Sequence, residues 1–550
     1  MENRTDSLKD LSTSRIKELD TLISKNSSDK KINAIPDLSI QKLTTALFER
    51  ASTAFIATST VQSLAIIAQE TFSICNDYFT KKHTVLIKSG QRGENSYLML
   101  AIGDRPFIIN TTILCVRECG SDIQTLLHPL VSLPNGKRLS LLYVEIDQLN
   151  NDALNLLQDR LCNSLEDLVL VTDDHPLTLG QIETSARLLM ERVPSQRSTE
   201  DERIEAAEFL RWLSDGGLVF LGSAEWKLSQ ASENGIDQIT FIEDDPKQAF
   251  GLFKSSNHWG RELEDECRKD AVNVFKNKDL LYISKLLFRS VVHRAERISH
   301  IVFPLYSSDG SVTSLISIVG LFTSKTLAQE SSTIPTIRNK VKKLISFEKA
   351  IPNSFSYKNI IKIIDSMPKE LLLRSDIDAL SQHLQMITSI QRESESASLV
   401  HLDSSGKGAS ITVAMPRKRF SEHVRLRLQK HIEYNFGAAP GSGDIHVALN
   451  VKPLVLFYYH IPLSNSETFS LEIKKLEADL VDLTKTWIDN LYDQLMLTDK
   501  FSDPDSIWLR YRNSFSEEYQ ASYLPEECLR DLQMIEALNE ENPIKVDIQP

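Results

Sequence analysis

The sequence predicts an α+β chain built from several domains. Three observations carry this. Residues 83–172 and 398–497 leave helical hydrophobic spacing for a period of two and alternate strands with helices, the first in ferredoxin-like βαββαβ order. Residues 216–325 are dominated by strands with turn residues between them, the pattern of one antiparallel sheet. The stretches between, 173–215 and 326–397, keep helical spacing and read as connectors. A length of 550 residues accommodates three or four such domains.

In chain order, residues 1–35 are polar and rich in Ser, Lys and Asp. They predict a loose tail with one short helical pattern from Leu11 to Ile23. Residues 36–82 form a helical segment, with Leu43, Ala46, Leu47 and Ala51, then Val61, Leu64, Ala65 and Ala68, at helical spacing. In 83–172, TVLIKS and SYLMLAI are strands. Asp104-Arg105-Pro106 starts a helix, with Pro in the first turn where its missing N–H costs nothing. That helix, PFIINTTILCVREC, stops at Gly120. DIQTLLHPLVSL and LSLLYVEI follow as strands about the turn Pro134-Asn135-Gly136, then the helix DALNLLQDRLCNSL and a closing strand, LVLV at 168–171. Counted from Ser96 the order is β-α-β-β-α-β.

Glu208 to Leu213 ends a helix with Phe209, Leu210, Trp212 and Leu213 on an apolar face. Asp215-Gly216-Gly217 breaks it, and Leu218 to Leu221 is a buried strand. The strands of 216–325 are GLVFLGSAEW, DQITFIE, LLYISKLL, ISHIVFPLYSS and SVTSLISIVGLFT, the last two joined by the hairpin signal Asp309-Gly310. Pro352 and Pro368 mark breaks in the second connector. Residues 398–497 read SLVHLDS, SITVAMP, a helix over 420–436, DIHVALNV, VLFYYHI, then a long helix through Trp487 and Leu495. This β-β-α-β-β-α order is close to the first block's after circular counting. The two blocks share no readable sequence identity, so they are analogous modules. Residues 498–550 form a helical C-terminal segment.

Composition excludes several function classes. A net charge of −13 disfavours a general nucleic-acid binder, which needs a basic face to displace counterions. The basic run Arg417 to Lys430 lies on a helix, where such charges form a solvated face. The six cysteines form no C-x-x-C pair, and Cys115 and Cys119 stack on one helix face as structural thiols. The amino terminus has no apolar h-region and no span suits a membrane helix, so a cytoplasmic protein is expected. Gly406-Lys407-Gly408 and Gly441-Ser442-Gly443 lack the third glycine of a dinucleotide cradle, and both read as turns between strands. No histidine pair has metal-ligand spacing, and His293 reads as a structural histidine. No motif unites a nucleophile, a base and an orienting group, so no catalytic, cofactor-binding or metal site is expected.

Six segments in one order carry a family resemblance. They are EFLRWLSDGGLVFLG (Glu208 to Gly222), LYISKLLFRSVVHR (Leu281 to Arg294), GLFTSK (Gly320 to Lys325), IPTIRNKV (Ile334 to Val341), MPKELL (Met367 to Leu372) and MPRKRFSEHVRLRLQKHI (Met415 to Ile432). Together they resemble the N-terminal region of the large bacterial NAD-dependent glutamate dehydrogenases, departing from its pattern at Gly216 and Gly217. The resemblance implies ACT-like modules at 83–172 and 398–497 and a PAS-like domain at 216–325. It implies that YQASYLPEECLRDLQMIEAL leads into a further module, and that the chain, ending at Ile548-Gln549-Pro550, lacks the catalytic domain.

By that resemblance the parent reaction converts glutamate to 2-oxoglutarate and ammonia, with NAD needed only by the missing domain and no cofactor in this chain. The implied role is a non-catalytic regulatory portion; the alternative is a stand-alone amino-acid-binding sensor or interaction protein. Expected partners are a second copy or a catalytic dehydrogenase chain, with an amino-acid effector and neither nucleic acid nor membrane. ACT-like modules take ligands where a strand meets a helix, which points to Gly103, Asp104, Arg105, Pro106, Phe107 and Asn110. Asp104 there suits an α-ammonium, or caps the helix; the two roles are compatible.

Overall fold

The computed structural model describes residues 2–26, 31–32, 35–49, 51–80, 83–89, 95–133, 135–194, 198–233, 236–242, 246–393, 395–403, 406–463 and 472–546. Pro134, Glu243 and Ile548 to Pro550, which figure in the expectations above, lie outside them. The chain divides into two compact units, Met1–Thr326 and Leu327–Pro550. Among the described residues no helix is long and apolar enough to cross a membrane.

The first unit opens with α1 (Glu2–Asn26), a helix of 25 residues where the sequence predicts a loose tail with a short helical pattern from Leu11 to Ile23. Its sequence is too polar to be held by propensity alone. Leu19 and Ile23, four apart and so on one face, are buried, and that anchorage holds it against its neighbours. β1 (Lys31–Ile32) and β2 (Ile35–Ser39) pair antiparallel. α2 (Ile40–Phe48), α3 (Thr53–Thr58) and α4 (Val61–Asp77) follow, each started by a Ser or Thr hydroxyl that accepts an N–H three residues on.

The first module is β3 (His83–Lys88), β4 (Ser96–Gly103), α5 (Ile108–Glu118), β5 (Ile123–Leu127), β6 (Leu130–Ser132), β7 (Arg138–Ile146) and α6 (Asn151–Asp173). Its sheet runs β3-β4-β7-β5 with β6 also on β7, antiparallel throughout. One expected strand is split at His128-Pro129, since proline has no N–H for the ladder. The expected strand LVLV is the last part of α6. Two facts decide it. β3 already fills the edge beside β4, from His83↔Ile102 to Lys88↔Tyr97. And Leu157, Leu161, Leu165 and Leu168 are all buried at helical spacing, so one apolar stripe runs straight through the segment. The observed order is therefore ββαββα, the ferredoxin-like sheet with its last strand moved to the front.

Both central strands of this sheet are buried on two faces. Leu98, Leu100 and Ile102 join Leu142, Val144 and Ile146 in the core with α5 and α6. The alternate residues Met99, Ala101, Leu139, Leu141 and Tyr143 join a second core with Leu64 and Ala68 of α4. Period-two side chains make this possible, and burial of both faces explains why SYLMLAI and LSLLYV are unbroken apolar runs.

α7 (His175–Arg192) and α8 (Glu200–Trp212) follow, α8 started by a Thr199–Glu202 capping box. The chain turns at Gly216 (φ +81°) into β8 (Leu218–Glu233). Then come β9 (Ile236–Ile242), β10 (Gln248–Gly251), α9 (His258–Asn277), β11 (Tyr282–Arg289), β12 (Arg297–Tyr306) and β13 (Val312–Phe322). The sheet order is β10-β8-β13-β12-β11, so the first strand lies beside the last, and β9 pairs the far half of β8. Asp309-Gly310 makes the β12–β13 turn, with Gly310 at φ +82°. α9 packs on β11, β12 and β13 over a polar thread. Asp270 accepts from Ser284 at 2.9 Å and pairs with His300 at 2.9 Å. Ser317 lies 2.9 Å from His300 and accepts from the Trp226 indole at 2.8 Å. A short helix, α10 (Ser324–Leu327), follows.

The second unit begins with α11 (Ile337–Phe347), α12 (Phe355–Ser366), α13 (Lys369–Arg374) and α14 (Ile377–Glu393). Its sheet module is β14 (Ala397–Leu402), β15 (Gly408–Pro416), α15 (Glu422–Asn435), β16 (Asp444–Ala448), β17 (Leu454–Pro462) and α16 (Ile473–Asp482). The order β14-β15-β17-β16 is that of the first module, strand for strand, with no circular shift between them. Gly406 (φ +70°) turns β14 into β15, whereas Gly441-Ser442-Gly443 leads from α15 into β16 rather than joining two strands. The expected long helix is two, α16 and α17 (Trp487–Leu497), because Thr486 and Asp489 form a capping box that starts a new helix. α18 (Pro504–Tyr511), α19 (Glu517–Ser522) and α20 (Pro525–Glu536) close the unit around Leu491, Leu495, Ile507, Cys528 and Leu532.

Candidate functional site

The candidate effector residues lie at and beside the turn from β4 into α5, and the structure sends them in three directions. Asp104 does not cap the helix. Its carboxylate pairs with Arg138 of β7 at 2.8 Å and accepts from the Ser140 hydroxyl at 3.0 Å; His128 lies 3.1 Å from that hydroxyl. The reason is register: β4 and β7 pair up to Gly103↔Leu139, so the next residue meets Arg138 before the helix begins. Arg105 turns to the end of α6, reaching Thr172 at 2.9 Å and Asp173 at 3.1 Å, with its Nε on the Gly103 carbonyl. Gly103 itself ends the strand; a Cβ there would meet the Tyr78 hydroxyl at 3.3 Å.

Phe107 and Asn110 go to the turn after β11. Phe107 is the residue before α5, at φ +71°, and no side chain caps the helix. His293 faces it, also left-handed at φ +72°, with ring centroids 4.5 Å apart. Left-handed backbone is costly for bulky side chains, and here two such residues pack with their rings tilted by 40°. Asn110 lies 3.0 Å from His293 Nδ1, and the His293 N–H donates to the Thr111 hydroxyl at 3.1 Å. Burial, then the neighbouring Arg294, holds the His293 imidazole below its ordinary range. A neutral ring that accepts at Nδ1 from the Asn110 amide carries its proton on Nε2, where it can donate.

Cys115, on the buried side of α5, is a structural thiol pushed up to about 11 by burial. The basic run begins in a short 3-10 turn, Arg417–Arg419, and continues on α15, and three of its arginines are paired within their own unit: Arg419 with Asp489 at 2.9 Å, Arg425 with Glu422, and Arg427 with the Leu483 carbonyl.

A second cluster escaped sequence reasoning. On the sheet of the second module, His460 Nε2 lies 2.7 Å from Asp403 and 2.6 Å from Arg374 Nη1, and Ser410 donates to Asp403 at 3.3 Å. Arg374 comes from the end of α13, so the cluster ties that helix to the sheet. Burial pushes the Asp403 carboxyl up, but His460 and Arg374 outweigh it and hold it well below the usual carboxylate range. Gly408 is what admits the pair, since a Cβ there would stand 2.7 Å from His460 Nε2. The available signal was an Asp five residues ahead of a glycine, opposite a lone His in an apolar strand; only the register makes them neighbours. Nearby His383 of α14 is fully buried, with no hydrogen-bond partner for either ring nitrogen among the described residues. Burial, then His401, holds it down at about 4. Among the described residues no group of three His, Cys, Asp or Glu could hold a metal ion.

Comparison with known proteins follows this architecture. Three family models match: glutamate dehydrogenase helical motif 1 at residues 334–393, its ACT2 domain at 398–488 and its helical motif 2 at 505–538. The ACT2 match covers the second sheet module, and the helical motifs cover α11–α14 and α18–α20. Proteins named NAD-specific glutamate dehydrogenase are similar over most of the chain. That of Halomonas elongata is 23% identical over 80% of this chain and 27% of its own length, and that of Pseudomonas aeruginosa 22% identical over 83% and 29%. That of Mycobacterium tuberculosis is 20% identical over 66% and 21%. The chain thus spans under a third of the length of these relatives. Among solved structures, a methyl-accepting chemotaxis protein X aligns with 54% of the chain at 12% identity and a TM-score of 0.14, which carries no argument. Three domain matches in one chain order and relatives over most of its length support a place for this chain in the glutamate dehydrogenase family.

Proposed function

We propose that this chain is a regulatory, non-catalytic portion of an NAD-dependent glutamate dehydrogenase, the enzyme class that converts glutamate to 2-oxoglutarate and ammonia. The observation that supports it most is the recurrence of one ββαββα module. The copy at 398–488 matches a domain model named ACT2, and the 83–173 module has its sheet order strand for strand. We read the earlier copy as ACT-like too, and the β8–β13 sheet, with its first strand beside its last and α9 on one face, as PAS-like.

The effector contact in this reading is the start of α5. Asp104 and Arg105 are spoken for by Arg138, Ser140, Thr172 and Asp173, so they support the turn. Phe107 and Asn110, with His293, face the ligand. The uncapped first turn of α5 and the Nε2–H of His293 suit a carboxylate. Two left-handed residues in contact suit a clamp, since strain of this kind is retained where the surroundings hold it for a purpose.

Thermal shift of the purified chain across the amino acids tests the effector. A shift in wild type that is lost in Asn110→Ala, beyond that variant's own baseline, supports the contact; no shift with any amino acid defeats it. Turnover of glutamate with NAD by the purified chain alone would defeat the non-catalytic reading.

A further inference from the structure

The turn between α11 and α12 presents three large apolar side chains to solvent: Phe347 is 59% exposed, Ile351 73% and Phe355 87%. The turn is built and held. Lys349 and Asn353 are left-handed at φ +50° and +64°. The Lys349, Ala350 and Ser354 N–H groups bond to the Ser346, Ile345 and Ile351 carbonyls, and Gln385 of α14 donates to Glu348 at 3.2 Å. Ordered backbone that displays adjoining apolar side chains marks an interaction surface, because water penalises their exposure and nothing local uses them.

Charge says what covers it. Residues 338–362 carry seven Lys or Arg against one Glu, in a chain of net charge −13. Lys342, Lys349, Lys358 and Lys362 are exposed around the tip. The complementary surface lies on the same chain at 517–541, over α19 and α20, with eight Asp or Glu against one Arg. Glu517, Glu526, Glu540 and Glu541 are exposed there, with Leu524 63%, Ile535 42% and Leu538 41% exposed among them. Each surface is apolar with charge around it, and the charges are opposite.

We propose that the α11–α12 tip docks on the α19–α20 surface of a second copy of this chain. Both surfaces are solvent-exposed within one copy, so pairing between copies buries both. A twofold arrangement makes the contact twice, tip to acidic surface and acidic surface to tip, and closes. Apolar side chains supply affinity, and the charges supply register and a salt-dependent association rate.

Sedimentation equilibrium of the full chain tests this, with three variant chains: Ile351→Ser/Phe355→Ser, Lys349→Glu/Lys358→Glu and Glu526→Lys/Glu540→Lys. All are surface changes, and unchanged circular dichroism checks the fold. Wild type is expected to be a dimer that weakens with added salt. Each variant should weaken it by about tenfold or more. Mixing the two charge-reversed chains should restore dimers, because both contacts then pair opposite signs. A monomeric wild type at low salt overturns the proposal, as do a dimer indifferent to these variants and charge-reversed chains that fail to pair when mixed. Tip-dependent binding to anionic lipid vesicles by a chain that stays monomeric overturns it in favour of a membrane surface.

Discussion

The two ββαββα modules share sheet order and differ in what lies on the sheet's second face. In the first, the cross-strand pairs there are Met99–Tyr143 and Ala101–Leu141, packed with Leu64 and Ala68 of α4. In the second, the corresponding pairs are Ser410–His460 and Thr412–Tyr458, on the side where Arg374 arrives from α13. The face toward the module's own helices is apolar in both. Sheet order is thus maintained by one face, and the other is free to specify a neighbour. An apolar second face associates by area and tolerates sliding. A polar one demands matched partners, and an ion pair fixes one geometry at the cost of desolvation. The second module is accordingly the one whose attachment to its helical motif can respond to protons.

The largest expected effect tests the apolar face. Leu141→Ala should lose about 2–5 kcal/mol in denaturant melts, as buried Leu truncations do. A loss under about 1 kcal/mol would mean that the second face of the first module contributes little packing.

Acid should act on the second unit through His383. Its folded value lies at about 4, below the ordinary 6.5, so it contributes stability fully above 6.5. Between those two values the unfolded chain binds the proton and the folded chain does not, so stability falls as pH falls. The loss approaches about 3 kcal/mol at the low end. His383→Leu should flatten that dependence, measured as melting temperature against pH. Asp403 does not interfere: its carboxyl is depressed, so its contribution persists above the ordinary carboxylate value and goes only at lower pH. If the slope survives His383→Leu, the proton goes elsewhere.

Arg374→Met tests the ion pair. It leaves Asp403 with His460 and the Ser410 hydroxyl and should cost roughly 2 kcal/mol, less than the 3–5 of a fully buried pair because both partners keep some solvent. Hydrogen exchange should rise in α13 and β14 and stay unchanged in the first module; a uniform rise would deny the local tie.

Thr412→Val should do the reverse and stabilise by roughly 1 kcal/mol, since its buried hydroxyl has no partner among the described residues. Destabilisation would show that the hydroxyl is bonded. The smallest effect belongs to Asp104→Ala, expected at about 1 kcal/mol or less because Arg138 is largely solvated. A double-mutant cycle with Arg138→Ala should give a coupling of about 0.2–1 kcal/mol. No coupling would return Asp104 to a role at the helix start.

Much of this was legible in the sequence, for identifiable reasons. Strands such as SYLMLAI and SITVAMP announce themselves because both faces are buried, and turns at Gly120, Gly310 and Gly406 because those glycines adopt φ near +75°, +82° and +70°. LVLV was misread because four apolar residues suit a buried strand and a helix equally, and only the stripe from Leu157 separates them. α1 was legible only as a short pattern from Leu11 to Ile23 in a loose tail, because the burial of Leu19 and Ile23 that holds a largely polar helix depends on its neighbours. At the candidate site the turn was found, but its residues were read as one constellation. Asp104 and Arg105 serve β7 and α6, whereas Phe107 and Asn110 meet a histidine 183 positions away from Asn110.

By itself the sequence determined the α+β class, the alternation of sheet modules with helical connectors, most strand positions and the family resemblance. These depend on local periodicity and short motifs, which are properties of neighbouring residues. Tertiary structure alone decided which strand takes the edge of the first sheet, that the two modules share one order, and where Asp104 turns. It also decided that Asp403, His460 and Arg374 meet. Those outcomes depend on register between distant strands and on which face finds a partner, and a one-residue shift in register reverses every side chain.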